Sequence, residues 1–227
     1  MTPLEIMVVN KQNIDKPSST PLEKISNGVE QVLVIPRNKV FNGKPIPNGF
    51  GKNDLTELIN RIYQHAYFID RPKAENNSSL KQIIPYIMVT YHNKIFSLHR
   101  KATQTEKRLH DKYSIGVGGH INPVEQSHDK IDGIIEKGLE RELNEELLVQ
   151  CSYNYKVIGY INDDTNDVGS VHFGLVHRLT VTDGKAVSVA EKDMMEGQFM
   201  SMTEIEKIYP LMETWSQLLF DAVKTQL

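Results

Sequence analysis

Hydrophobic residues run along this chain in short clusters, interrupted by three stretches that read as helices. The β-branched run inside Glu30–Pro36 predicts a strand. Leu55, Leu58, Ile59 and Ile62 recur at three- and four-residue intervals, predicting a helix over 53–70 with Asn53 or Asp54 as its cap. Ile83–Tyr91 and Lys94–His99 flank His92-Asn93 and read as a hairpin. Tyr113–Gly118 reads as a strand running into a glycine pair. A helix follows over Asp132–Leu148, then strands over Tyr155–Ile161, Val171–Val181 and Gln198–Met200, and a last helix over Tyr209–Thr225. Residues 17–21 and 42–49 carry loop and turn chemistry. The polar run Arg71–Ser79 is the best boundary, separating an N-terminal extension (1–78, strand plus helix, packed on the main domain) from a main domain (79–227). This order predicts an α+β fold, a mixed sheet with helices on its faces.

Composition narrows the function. The chain has 227 residues and a formal net charge of −3, with 26 basic against 29 acidic side chains. No broad basic field of the kind nucleic-acid binding needs is present. The single cysteine, Cys151, cannot form an internal disulfide or a cysteine-based zinc site. With no long apolar run, a cytoplasmic protein without membrane contact is expected.

Candidate chemistry sits in the helix after the glycine pair. Glu142, Glu145 and Glu146 fall within an arc of roughly 100°, beside a stripe made by Leu139, Leu143 and Leu147. Clustered glutamates on a helix are usually a solvated face. Here, however, a strand and Gly116-Val117-Gly118-Gly119-His120 precede them, and a divalent cation would turn their repulsion into attraction.

These residues resemble the Nudix hydrolases, whose box reads GX5EX7REUXEEXGU, with U a bulky aliphatic. Arg141-Glu142-Leu143-Asn144-Glu145-Glu146 matches REUXEE, Gly119 matches the opening glycine and Val149 the closing aliphatic. Two positions depart. Leu148 stands where the box has glycine, and Gly119 precedes Arg141 by 22 positions, eight more than the box has. Gly133 therefore falls where the first box glutamate belongs, leaving its role absent or taken by Glu125, Asp129 or Glu136. Val117–Asn122, Val171–Gly174, Glu196–Phe199 and the region of Trp215 also resemble one bacterial branch of the family.

The resemblance implies a Nudix-like α/β/α sandwich and hydrolysis of a nucleoside diphosphate linked to another group. It implies Mg²⁺ (or Mn²⁺) on Glu142, Glu145 and Glu146, with the Gly119 carbonyl as a further ligand. Glu142 would bind metal or act as base, and Arg141 would orient a glutamate. His120, Arg100, Arg108 and Glu196 are candidate substrate contacts. The alternatives are a backbone-bonded loop histidine for His120 and a solvated basic loop for Arg100 and Arg108. His172 reads as a sheet residue, and Trp215 as core or oligomer contact. A nucleotide is the expected partner, and homodimerisation follows by analogy. The competing reading is a non-catalytic Nudix-like nucleotide-sensing or regulatory module. An isomerase on the same scaffold is disfavoured because Cys151 follows the box helix.

Overall fold

Residues Leu80–Tyr91 form a strand buried on both faces, and the rest of the molecule is layered on it. The computed structural model describes residues 7–9, 28–101, 111–123 and 133–225. In chain order the elements are β1 (Met7–Val9), β2 (Gln31–Pro36), α1 (Arg37–Val40), β3 (Gly49–Gly51), α2 (Leu55–His65), β4 (Tyr67–Asp70) and α3 (Arg71–Glu75). Then come β5 (Leu80–Tyr91), β6 (Lys94–Arg100), β7 (Tyr113–Ser114), β8 (Val117–Gly118), α4 (Ile134–Glu146), β9 (Leu147–Val149) and β10 (Tyr153–Asn162). The chain closes with α5 (Asp167–Val171), β11 (His172–Val181), β12 (Val187–Val189), β13 (Met195–Ser201), α6 (Met202–Ile208) and α7 (Thr214–Val223).

The main sheet runs β1-β10-β11-β5-β2-β4, with β6 joining β5 to β7 and β13. Strands β5 and β11 pair in parallel from His172↔Gln82 to Thr180↔Thr90, while their other neighbours pair antiparallel, so the sheet is mixed. Successive side chains of a strand point to opposite faces, and β5 shows the result. Ile83, Ile87 and Val89 enter cores shared with α2 and α4, whereas Tyr86 and Met88 pack with Leu219, Phe220 and Val223 of α7. The fold is an α/β/α sandwich, as the resemblance implied.

Residues ahead of Arg71 share this core. Leu33, Ile35, Leu58 and Ile62 pack with Ile83, Ile121, Ile134 and Phe173. β2 also pairs directly with β5, and the Leu33 amide donates to the Ile121 carbonyl.

Several boundaries differ from the sequence expectation. The helix predicted over 53–70 ends at His65. Ala66 turns extended, and Tyr67–Asp70 pairs with β2 through Leu33↔Phe68, using aromatic and β-branched residues that suit a pleat. Asp54 occupies the cap position in a left-handed conformation with no side-chain capping bond. The strand predicted over Tyr113–Gly118 breaks in the middle, where the Ile115 amide donates to the Ser216 hydroxyl and the Gly116 amide to the Ser114 hydroxyl. The final helix starts only at Thr214, since Tyr209–Leu211 with its proline is a 3-10 turn. The loop predicted at 17–21 lies outside the described residues.

Leu33→Ala is expected to destabilise the whole protein by about 3 kcal/mol, as truncation of a fully buried leucine does. Urea unfolding should show a single shifted transition. A shift below about 1 kcal/mol would contradict the shared core.

Candidate active site

The box helix is held at both ends by backbone choices. Gly133 opens α4 with φ +73, a left-handed turn that favours glycine over the glutamate a regular box would place there. At the other end Leu147 is extended, and the chain passes straight into β9. Leu148 needs no left-handed turn, which explains why the glycine of the regular box is dispensable here. Leu139, Leu143 and Leu147 are buried as the stripe predicts.

Arg141 organises the helix's polar face. Its guanidinium lies 2.8 Å from Glu142 Oε1 and 2.7 Å from Glu145 Oε2. It also donates to the His120 carbonyl and to Asn122 Oδ1 at 3.2 Å. Asn122 in turn donates to the Gln31 carbonyl of β2 at 2.8 Å. One planar fork thus joins the box helix to the glycine loop, and through Asn122 to the N-terminal strand.

The three glutamates sit in different surroundings. Glu142 is buried, its carboxylate pressed against Gly119 so closely that a Cβ there would lie 2.4 Å from Oε1. Burial pushes the Glu142 carboxyl up to about 7 against the pull of Arg141, and the charges of Glu145 and Glu146 add to the rise. Glu145 is exposed. Glu146 is half-buried, and its Oε2 is buried with no hydrogen-bond partner among the described residues. Burial raises the Glu146 carboxyl too, opposed by Arg100 and reinforced by Glu191 and Glu145.

A cleft of about 820 Å³ opens beside this helix. Glu146, Gly119, His120 and Arg100 line it, together with Arg71, Glu75, Lys112, His172, Glu191 and the rings of Tyr86 and Trp215. Glu142 lies behind Gly119. Arg100 is ion-paired with Glu213 at 3.3 Å. Glu196 does not line this cleft: its exposed carboxylate pairs with Lys101 at 3.1 Å on β13. Instead Glu191, five residues earlier, brings a loop acid towards Glu146. Glu136 accepts from the Tyr63 hydroxyl at 3.0 Å, bracing α4 against α2. Arg108, Glu125 and Asp129 lie outside the described residues.

Trp215 and His172 hold more central positions than their sequence readings gave them. Trp215 is half-buried, edge-on to Tyr86 at 5.6 Å, with one side on the core and another in the cleft. His120 and His172 face each other, Nε2 to Nε2, at 3.2 Å. Burial drives the His120 imidazole down to about 3, helped by the positive charge of Arg71 and by His172 and Arg141. Glu75 reaches the same spot from α3, inside the polar run that reads in sequence as a boundary. No local pattern marks it.

An ion-pair network around a buried lysine holds the segment that leads into His172. Fully buried Lys81 donates to Asp164 Oδ1 at 2.7 Å, the Gly169 carbonyl at 2.8 Å and the His172 carbonyl at 3.2 Å. Arg37 adds a two-pronged contact to Asp164 at 2.8 and 3.1 Å. Burial brings the lysine down to about 8. It also pushes the Asp164 carboxyl up, but hydrogen bonds from Arg37, Lys81 and Asn162 outweigh it and hold that carboxyl well below the usual range.

The chain belongs to the Nudix hydrolase superfamily. Tm1382, provisionally described as a Nudix hydrolase, superposes with a TM-score of 0.74 at 28% identity, over 87% of this chain and all of that one. Protein YmaB of Bacillus subtilis (strain 168) is 34% identical over 202 residues, 86% of this chain and 98% of YmaB, and the two share a family. No protein-family profile matches the chain. Among the described residues no helix is long and apolar enough to cross a membrane.

The Asp164 network fixes a pH dependence. An unfolded aspartate takes up its proton near pH 4, whereas native Asp164 stays ionised to lower pH. The unfolded state therefore binds more protons in that window. The stabilisation is complete above about pH 4 and is lost as pH falls through the native value. Asp164→Asn should flatten the fall of the urea midpoint between about pH 5 and about pH 2. An unchanged slope would contradict the network's role.

Proposed function

We propose that the protein hydrolyses a phosphoanhydride bond in a nucleoside diphosphate linked to another group, using Mg²⁺ or Mn²⁺. The observation that carries this reading is the partnerless buried oxygen of Glu146 at the cleft. A buried carboxylate oxygen without a donor is costly, and a cation would satisfy it. The residues also fit a cation on a second count. Gly119 leaves room for the Glu142 carboxylate, whose pKa burial raises against the pull of Arg141, and a cation there would offset that burial.

Glu142, Glu145 and Glu146 would hold the ion, with the Gly119 carbonyl as a further ligand. When bound, a divalent ion neutralises phosphate charge and lowers the pKa of water. Arg141 is a positioning residue, fixing Glu142 and Glu145 relative to the glycine loop. Arg71, Arg100 and Lys112 supply positive charge for phosphate oxygens, and Tyr86 with Trp215 offers a flat apolar wall suited to a base or sugar. The 1–78 portion contributes Arg71 and Glu75 to the cleft and so would shape selection of the second group.

The test is a panel of ADP-ribose, dinucleoside polyphosphates, NADH, nucleotide sugars and dNTPs, with Mg²⁺ or Mn²⁺ and added phosphatase to reveal phosphate. Turnover of at least one member is expected, falling about a hundredfold or more in Glu146→Gln and Glu145→Gln. If none is cut while one nucleotide raises the melting temperature, the protein is a nucleotide sensor and the hydrolase reading fails. Gly133 at the first box glutamate keeps that outcome worth measuring.

A further inference from the structure

From the geometry at one end of the cleft we infer a second metal site, for a transition-metal ion of the Zn²⁺ class, built from His120, His172 and Glu75. It is separate from the box glutamates in both residues and donor chemistry, and does not depend on what the cleft hydrolyses.

The three groups come from three separate segments. Glu75 ends α3, His120 follows Gly119 in the glycine loop, and His172 opens β11. One ligand atom from each lies within 4.8 Å of the others, and all three residues line the cleft. The two Nε2 atoms are 3.2 Å apart. Two nitrogens on one tetrahedral Zn²⁺, each at about 2.0–2.1 Å, stand about 3.3 Å apart, so the imidazoles are already at the required separation. Glu75 Oε1 is 4.0 Å from His120 Nε2 and its carboxylate lies within 4.8 Å of the His172 ligand nitrogen, so a shift on the order of an ångström would bring it to ligand distance.

Each ligand is also oriented from behind. His172 Nδ1 is 2.7 Å from the Val168 carbonyl, which can only accept. The proton therefore sits on Nδ1, and the Nε2 lone pair points at the site. This is the arrangement that fixes metal-ligating histidines. Glu75 Oε1 accepts from Arg71 Nε at 3.2 Å, and Arg141 grips the His120 carbonyl. The Lys81 ammonium, bonded to the His172 carbonyl, pins the start of β11. A plain hydrogen bond between the rings accounts for the 3.2 Å separation, but not for a carboxylate brought to the same nitrogen by its own arginine.

Two imidazoles and one carboxylate favour Zn²⁺, Co²⁺ or Mn²⁺ over Mg²⁺, which prefers all-oxygen shells. Three protein ligands would leave a coordination position open, and all three residues line the cleft. That is the pattern of a site that takes water or a substrate oxygen, not of a closed structural site. A phosphate oxygen entering the cleft is the ligand class that position would accept.

The experiment titrates metal-free full-length protein with Zn²⁺ in excess Mg²⁺, and follows Co²⁺ by its visible ligand-field bands. One ion per chain is expected, with affinity falling at least about a hundredfold in His172→Gln and His120→Gln and about tenfold in Glu75→Gln. Glu146→Gln should leave Zn²⁺ affinity within about twofold, which separates this site from the box glutamates. In the unmutated protein, histidine nitrogen NMR should show the Nε2 resonances of two histidines shifting on Zn²⁺ addition. This readout survives even if a histidine variant fails to fold. No Zn²⁺ binding in excess Mg²⁺, affinity unchanged in the histidine variants, or loss of Zn²⁺ binding in Glu146→Gln with both Nε2 signals unmoved would each overturn the inference.

Discussion

The arrangement of this site depends on the guanidinium of Arg141. Three carboxylates crowd one face of α4, and one of them is buried, so their mutual repulsion works against the helix that carries them. Arg141 offsets this by contacting two of them, and with the same fork it takes the His120 carbonyl and Asn122. The helix, the glycine loop and β2 are therefore fastened through one side chain. A lysine could neutralise charge here but could not serve acceptors lying in different directions with a rigid plane.

From that fastening follows the character of the cleft. Gly119 is held against the Glu142 carboxylate, and the next residue, His120, is carried to face His172. Hard oxygen donors and softer imidazole donors thus end up in one cavity, on adjacent residues of the same loop. The opposite wall is supplied by α7, whose Trp215 and Ser216 pack on Tyr86. The Lys81–Asp164–Arg37 network, buried at its lysine, sets the remaining side by fixing the segment before β11. It does so at some cost, since a fully buried lysine is tolerated only while every proton on it is accepted.

Much of this was legible in the chain because local rules and global packing agree. The REUXEE match and the leucine stripe placed α4, and the hairpin spacing around His92-Asn93 placed β5 and β6. The short elements were harder to read. Tyr67–Asp70 is a strand because β2 offers it an edge, a tertiary fact no local pattern carries. α6 went unread, although Ser201 and Glu204 form a capping box whose Ser-x-x-Glu spacing was a signal that could have found it. Glu75, Glu191 and the pairing of His120 with His172 were invisible, being set by contacts between segments far apart in sequence. Glu196 was singled out by analogy, but it lies off the cleft, which Glu191 lines.

The central claim is that close approach of the Gly119 backbone to Glu142 shapes a cation site at the box helix. Gly119→Ala tests it most directly, because the added methyl would occupy the space beside that carboxylate. Mn²⁺ titration followed by electron paramagnetic resonance, with His120 and His172 both changed to Gln to leave only the box glutamates, measures the affected affinity. The account predicts at least about a tenfold weaker Mn²⁺ site in the Gly119→Ala version, with the unfolding transition retained. Equal Mn²⁺ affinity with and without the methyl would contradict it.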